Sequence, residues 1–312
     1  MVFFSIYTNF AVKLTAMPDI SIISINYNGL KDTCEMLETL PLEDKSLEVI
    51  VVDNASREDE ATIIEQRYPQ VTVIRSDENL GFAGGNNLGI RAAKGKYLLF
   101  LNNDTVLDAS AKADIFSLQT SDLQHLVSRM ESDPKIGVVC PKIRFAWGNR
   151  AIQFAGYTPL SPVTMRNKAI GFGEADRGQY DVAHPTPYAH GAAMMVRREA
   201  IDKAGLMPEC YFLYYEELDW SLMIRRAGYD IWYEPRTTIY HKESQTTGQE
   251  SALRTYYITR NRLLFAQRNT PQPQKLLAML YLSTVVAGKD IVKYLLKGRM
   301  DLVKAVIKGL KN

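Results

Sequence analysis

The chain has 312 residues, 46% apolar and 23% charged, with a net charge of +2. That suffices for one large or two small domains with a real core, and it makes no bulk electrostatic case for nucleic acid as a partner. Three scattered cysteines (Cys34, Cys140, Cys210) give neither a disulfide framework nor a zinc spacing. No run of about 18 uninterrupted apolar residues occurs, so a soluble or peripheral, cytoplasmic protein is expected.

Residues 1–17 are mildly apolar, but they lack a basic start and Lys13 interrupts them. They read as a flexible extension or a misassigned start, not a signal peptide. The β-branched run 19–27 (DISIISINY) predicts a first strand, turned by Asn28 and Gly29. Cys34, Leu37 and Leu40 give 31–40 helical spacing before Pro41. A second strand over 48–52 drives into Asp53 and Asn54, a helix over 58–68 ends at Pro69, and 71–75 is a third strand. The stretch from Asn79 to Asn87 carries Gly81, Gly84 and Gly85 ahead of a helix closed by Gly95. The fourth strand, 96–101, ends in LLFLNND, an apolar run stopped at Asn102, Asn103 and Asp104. Strands and helices alternating in this way predict an α/β fold with a parallel sheet covered by helices.

Past Asp104 the rhythm changes. A long helix is expected over 109–133, a strand over 136–145, and a loop region with short strands over the Gly-, Pro- and Thr-rich 148–187. A buried strand over 191–197, helices over 198–204 and 216–227 and a strand over 230–240 follow. Beyond about residue 250 the pattern is helical, and 275–312 hold eight Lys or Arg and two Asp among apolar residues at helical spacing. These helices either pack as an amphipathic pair on the rest of the chain or rest a basic face on anionic lipid.

Two acid-terminated strands with a glycine-rich stretch between them suggest a sheet that holds a nucleotide and a metal. Open α/β sheets bind ligands at the C-terminal ends of their strands. Asp104 is either a ligand for a hard cation shared with phosphate oxygens or a strand-end cap. Asp53 can accept an N–H from a base, and Tyr27 either stacks on that base or packs in the core. The glycine stretch offers close backbone approach and a helix N-terminus to phosphate, without the G-x-G-x-x-G spacing of a dinucleotide site. Glu216, Glu217 and Asp219 crowd one helix start, either as N-terminal acids favoured by the dipole or as a general base with a raised pKa. His241, just past a strand, is a structural imidazole unless a metal site needs another donor.

In this order, SIISINYNG (21–29), VIVVDNAS (49–56), ENLGFAGGNNLGI (78–90), LLFLNNDT (98–105), DPKIGVVCPKI (133–143), HGAAMMVRRE (190–199), FLYYEELDWSLMIRRAGY (212–229), HKES (241–244) and TRNRLL (259–264) resemble the inverting family-2 glycosyltransferases of GT-A fold. Their bacterial rhamnosyltransferase-like branch is the nearest match, and the resemblance covers about residues 18–270. It implies a mixed, mostly parallel sheet flanked by helices, with a nucleotide-binding half (18–108), an acceptor and catalytic half (109–250) and a C-terminal helical extension (251–312). It further implies a nucleoside-diphosphate-sugar donor, dTDP-rhamnose by branch, and a divalent cation, Mn2+ or Mg2+. The implied acceptor is a glycan or a lipid-linked precursor of cell-surface polysaccharide, at the inner face of the plasma membrane.

Position by position, Asp53 matches the acid that binds the base, with Tyr27 at the end of the base-binding strand. Asn28, Asn54, Asn79, Gly81, Asn86 and Asn103 fall in the same nucleotide-binding stretches. Asp104 matches the last residue of the metal-binding D-x-D, and His241 the histidine that completes the metal site. Glu217 aligns with the catalytic base, a Glu where the family has Asp, with Glu216 as the alternative. Asp219, Arg260 and Arg262 are candidates for contact with diphosphate or acceptor. The residues at 109–122 are an addition to the family pattern. A nucleotidyltransferase or a non-catalytic sugar-nucleotide-binding relative are the alternative readings.

Overall fold

The computed structural model describes residues 19–107, 120–243 and 251–311. The N-terminal extension, most of the addition at 109–122 and Ser244 of the HKES stretch lie outside them.

Strands β1 (Ile20–Asn26), β2 (Leu47–Asp53), β3 (Thr72–Arg75) and β4 (Tyr97–Leu101) pair in parallel in the order β3-β2-β1-β4. Helices α1 (Leu30–Glu38), α2 (Glu60–Arg67) and α3 (Gly81–Ala92) cross over between them. All five residues of β4 are buried, as expected of a strand covered on both faces. In register, Asn26 lies opposite Asp53, so the first two strands end level and open onto one edge.

The glycine stretch does not precede α3; it forms its first turns, from Gly81 onward. Glycine is a poor helix former, so the expected loop follows from propensity alone. Packing decides otherwise. A Cβ on Gly89 would lie 2.4 Å from Ile23 Cγ2, and one on Gly85 would lie 3.0 Å from Ile25 Cδ1. Glycine here lets α3 lie directly on β1.

Beyond β4 the sheet continues through β9 (Ala193–Arg197), β6 (Ile136–Phe145), β10 (Asp230–His241) and the short β5 (Thr105–Val106). β9 runs antiparallel to both β4 and β6, which makes the sheet mixed. β7 (Ile152–Phe154) pairs with β6, and β8 (His184–Pro185) with β10. Helix α4 is described from Thr120 to Ser132; α5 (Arg198–Ala204) and α6 (Glu216–Arg226) follow at the expected positions. The loop-rich 148–187 is pinned by Lys142, a buried ammonium on β6 that meets Asp176 at 3.1 Å and Asp181 at 2.5 Å. One apolar core runs through both halves of the sheet. A second cluster, including Tyr211, Tyr215, Leu218, Phe265 and Leu282, joins α6 to the C-terminal helices α7 (Ala252–Asn269) and α8 (Gln274–Tyr281), which α9 (Ala287–Leu296) and α10 (Met300–Lys311) follow.

Candidate active site

A cleft of about 310 Å3 opens over the C-terminal ends of β1, β2 and β4. Tyr27, Asn28, Asn54, Asn79, Gly81, Asn86, Asn103 and Asp104 all line it, and Phe212, Leu213 and Leu253 complete its wall. Tyr27 is 40% exposed and leaves its ring free to stack. Asn54 builds the wall: its amide donates to Asn79 Oδ1 and to the Gly81 carbonyl (3.1 Å each), and its Oδ1 accepts from the Leu80 amide. Gly81 has φ +70°, and a Cβ there would lie 2.2 Å from the Phe212 carbonyl oxygen. No other residue fits this turn.

Asp53 is buried and is not part of that wall. Its Oδ1 accepts from Asn26 Nδ2 at 2.8 Å and from Ser56 Oγ at 2.5 Å. Ser56 in turn receives the Asn28 amide, so the carboxylate anchors the turn that carries Tyr27 and Asn28.

Asp104 follows β4 and is 3% exposed. The next residue, Thr105, is the register partner of His241 across β5 and β10. This pairing sets Asp104 Oδ1 at 3.1 Å from His241 Nε2. The other ring nitrogen, Nδ1, lies 2.9 Å from Gln153 Oε1 on β7. An amide oxygen can only accept, so Nδ1 donates to Gln153 and Nε2 is the nitrogen that faces the carboxylate. Two electron-pair donors at that separation need a proton or a cation between them. One carboxylate and one imidazole with a hydrogen-bonded second nitrogen form a set that fits a divalent ion sharing ligands with a diphosphate. Among the described residues no group of three or more His, Cys, Asp or Glu could hold a metal ion, so phosphate oxygens and water would complete the shell. His190 stacks on Tyr157 (5.9 Å, 8° between planes) and meets the His241 ring edge-on at 6.5 Å. Burial holds it neutral, with its pKa lowered to about 3.

Glu216 and Glu217 open α6. Glu216 is 3% exposed, and its Oε2 has no hydrogen-bond partner. Burial, then the charge of Glu217, push its pKa well above the carboxylate range. Glu217 is half-buried, and burial raises its pKa to about 7. It does not line the cleft itself but stands beside it. A Cβ built on Gly191 would lie 3.7 Å from Glu217 Cγ and 3.8 Å from Phe82 Cζ, and Phe82 is part of the cleft wall. Of the two acids, Glu217 has both the access and a pKa near neutrality.

Three expected contact residues sit elsewhere. Asp219 is 1% exposed and binds Tyr211 Oη (2.9 Å) and Arg268 Nε (2.7 Å), an ion pair that ties α6 to α7. Arg260 donates to the Cys210 carbonyl and Asn261 Oδ1, whereas Arg262 donates to Tyr215 Oη. Residues two apart on a helix point to different faces, so these arginines do not converge on one diphosphate. Asn261 and Gln153 were missed. Asn261 could have been found as a polar residue one helical turn before the apolar Phe265; Gln153, between two apolar strand residues, carries no local signal.

Known proteins resemble the chain in sequence and in architecture. A hexosyltransferase of low-salt glycan biosynthesis from Haloferax volcanii is 26% identical over 301 residues, covering 96% of this chain and 92% of its own. An N-acetylglucosaminyl-diphospho-decaprenol L-rhamnosyltransferase from Mycobacterium tuberculosis is 24% identical over 243 residues, 74% of this chain and 78% of that one. In architecture the chain is similar to a mannosyltransferase from Pyrobaculum calidifontis in complex with GDP-Man and Mn2+. The TM-score is 0.55 at 17% identity, over 95% of this chain and 75% of that one. The first 349 residues of Staphylococcus aureus TarS give a TM-score of 0.51 at 16% identity, over 94% and 90%. The fold is GT-A, and the enzyme is a glycosyltransferase. The family profile for glycosyl transferase family 2 matches residues 21–205, more than half of the sequence, and the chain belongs to that family.

Proposed function

We propose that the protein moves a sugar, with inversion, from a nucleoside-diphosphate donor to a hydroxyl of a glycan or lipid-linked acceptor. The observation that carries this reading is a cleft that presents Tyr27 at one strand end and Asp104 at another, with the buried His241 against Asp104 and Glu217 beside the cleft past Gly191. Tyr27 and the Asn54-braced turn would take the nucleoside. Asp104 and His241 would hold a divalent ion, Mn2+ or Mg2+, which when bound neutralises charge on the departing diphosphate. Glu217 would take the proton from the acceptor hydroxyl as it attacks the anomeric carbon from the opposite face. One displacement inverts the centre, so no nucleophilic Ser or Cys is required.

The similarity to the mycobacterial rhamnosyltransferase supports rhamnose as the sugar moved and a lipid-linked acceptor, and dTDP-rhamnose is the donor this reading takes. Among the described residues no helix is long and apolar enough to cross a membrane. Yet α8 and α9 leave Leu276, Leu277, Leu280, Val292, Leu295 and Leu296 about half or more exposed, with Lys289, Lys293 and Lys297 one helical turn apart beside them. This pattern supports contact of 275–312 with an anionic membrane surface.

The test is a thermal-shift screen of nucleoside-diphosphate sugars with and without Mn2+, since a ligand of the folded state raises its apparent stability. A shift with dTDP-rhamnose that needs Mn2+ is expected. Equal shifts in chelator would remove the metal from the reading, and a larger shift with UDP- or GDP-sugars would replace the donor.

A further inference from the structure

Three of four consecutive residues ahead of Glu216 hold left-handed backbone without being glycine: Phe212 (φ +68°), Tyr214 (φ +70°) and Tyr215 (φ +78°). Such conformations persist only where the surroundings over-determine them. Tyr215 is the N-cap of α6 and makes no side-chain cap, so the loop, not a capping side chain, sets where the helix begins.

The loop is held from two sides. On the cleft side the Phe82 amide donates to the Phe212 carbonyl at 2.8 Å. On the other side Asn261, fully buried on α7, turns its Nδ2 to three carbonyls: Tyr211 at 2.9 Å, Leu213 at 2.7 Å and Tyr214 at 3.0 Å. Arg260 Nη1 donates to Asn261 Oδ1 at 2.8 Å and to the Cys210 carbonyl at 3.0 Å. That contact fixes which end of the amide faces the loop, because an oxygen turned toward three carbonyls would repel them. Phe212 and Leu213 line the cleft while Glu217 stands two residues past Tyr215. One clasp therefore fixes the cleft wall and the first turn of α6 together.

We propose that Arg260 and Asn261 are a positioning pair for Glu217: they hold residues 211–215 in the strained form that aims the base at the cleft. The proposal rests on the reading of Glu217 as the base. It assigns the two residues a role in geometry, not contact with diphosphate. Misplacing a reacting group by about 1 Å can cost on the order of 10²-fold in rate, so a loosened loop lowers turnover without unfolding the sheet.

The experiment uses the full chain as wild type, Arg260→Ala, Asn261→Asp, Glu217→Gln and the Arg260→Ala/Glu217→Gln double variant. Amide hydrogen exchange is read over 211–217 and over β1 and β4. Turnover is read as release of nucleoside diphosphate from the donor that gives the largest thermal shift. Expected is faster exchange confined to 211–217, by roughly tenfold or more, with kcat down roughly 10–10²-fold. In the Glu217→Gln background Arg260→Ala should cost nothing further, since the two act through one group. A merely structural role would lose activity in proportion to unfolded protein and equally in both backgrounds. If Asn261→Asp does not fold, Arg260→Ala, at a half-buried position, carries the test. Unchanged exchange at 211–217 overturns the clasp. Faster exchange with full turnover, or losses that multiply in the double variant, overturns its role in positioning. Full activity of Glu217→Gln alone would instead sink the base assignment.

Discussion

His241 stands 3.1 Å from Asp104 because the residue after Asp104, Thr105, is its ladder partner across β5 and β10. The pair is thus held by backbone register, and Gln153 sets the imidazole tautomer from behind. Hydrogen-bond partners of metal-ligating histidines tune affinity by roughly 10–100-fold. Asp104→Ala and His241→Ala should abolish Mn2+-dependent binding of nucleoside diphosphate, and Gln153→Leu should weaken the apparent Mn2+ affinity by about that factor. Calorimetric titration with Mn2+ measures both; an unaltered isotherm for Gln153→Leu would show that the tautomer does not matter.

The carboxylate pair on α6 makes a pH prediction. Burial raises Glu217 from the ordinary 4.5 to about 7. A base works only when ionised, so kcat/KM should fall about tenfold per unit below pH 7. Glu217→Gln should remove this limb and lose roughly 10²–10⁴-fold in turnover. Stability runs the other way. A carboxyl whose folded pKa is raised binds its proton more tightly folded than unfolded, so ionising it costs stability as pH rises from 4.5 toward the folded value. Glu216, more deeply buried, adds to this in the same direction. Glu216→Gln should therefore retain turnover and melt higher than wild type at pH 8, with little difference at pH 4. Loss of turnover in Glu216→Gln would move the base by one residue.

Much of the sheet was legible in the sequence. β1, β2 and β4 are apolar or β-branched runs with polar ends, and their alternation with helices leaves few topologies. Tyr27, Asn54 and Asp104 were found because they follow those strands. Distance along the chain hides the rest. Asp104 and His241 come together only through the antiparallel strand β5, two residues long, too short to announce itself. Arg260 and Arg262 suggested a diphosphate clamp by type and position, but their carbonyl and hydroxyl partners lie about fifty residues upstream. The glycines of α3 were misjudged because their reason is contact with β1, which no local pattern carries.

The same blindness to partners affected Asp219, one of three acids at a helix start and so a candidate for substrate contact. Its carboxylate instead meets Arg268 from α7 at 2.7 Å in a buried setting. Removing one partner of a buried ion pair leaves the other uncompensated, at a cost of about 3–5 kcal/mol. Arg268 is partly exposed, so Arg268→Ala should cost nearer 2–3 kcal/mol in urea unfolding. Turnover per folded molecule should stay within about threefold of wild type at temperatures well below the melting point, because the pair joins two helices and does not line the cleft. A variant as stable as wild type but inactive would return Asp219 to the site.

Membrane contact would fall on α8 and α9. The exposed leucines run along one side of this helical segment, and Lys289, Lys293 and Lys297 repeat every fourth residue next to them. Apolar area alone would drive aggregation or dimerisation as readily as membrane contact. The flanking lysines separate these outcomes, because they repel a second copy and attract anionic headgroups at about 1 kcal/mol each near the surface. Binding to vesicles containing phosphatidylglycerol should be strong at low salt and fall steeply between about 0.05 and 0.5 M NaCl as the Debye length shrinks. Replacing the three lysines by glutamate should reduce it by more than about 10²-fold, because losing three attractions of about 1 kcal/mol each already amounts to that factor and the new acids add repulsion. Leu280→Ser with Leu296→Ser should reduce the part of the binding that survives in high salt. If neutral vesicles bind equally well and the glutamate variant is unaffected, the apolar stripe serves another protein surface, and sedimentation of the wild type as a dimer would identify that surface as its own.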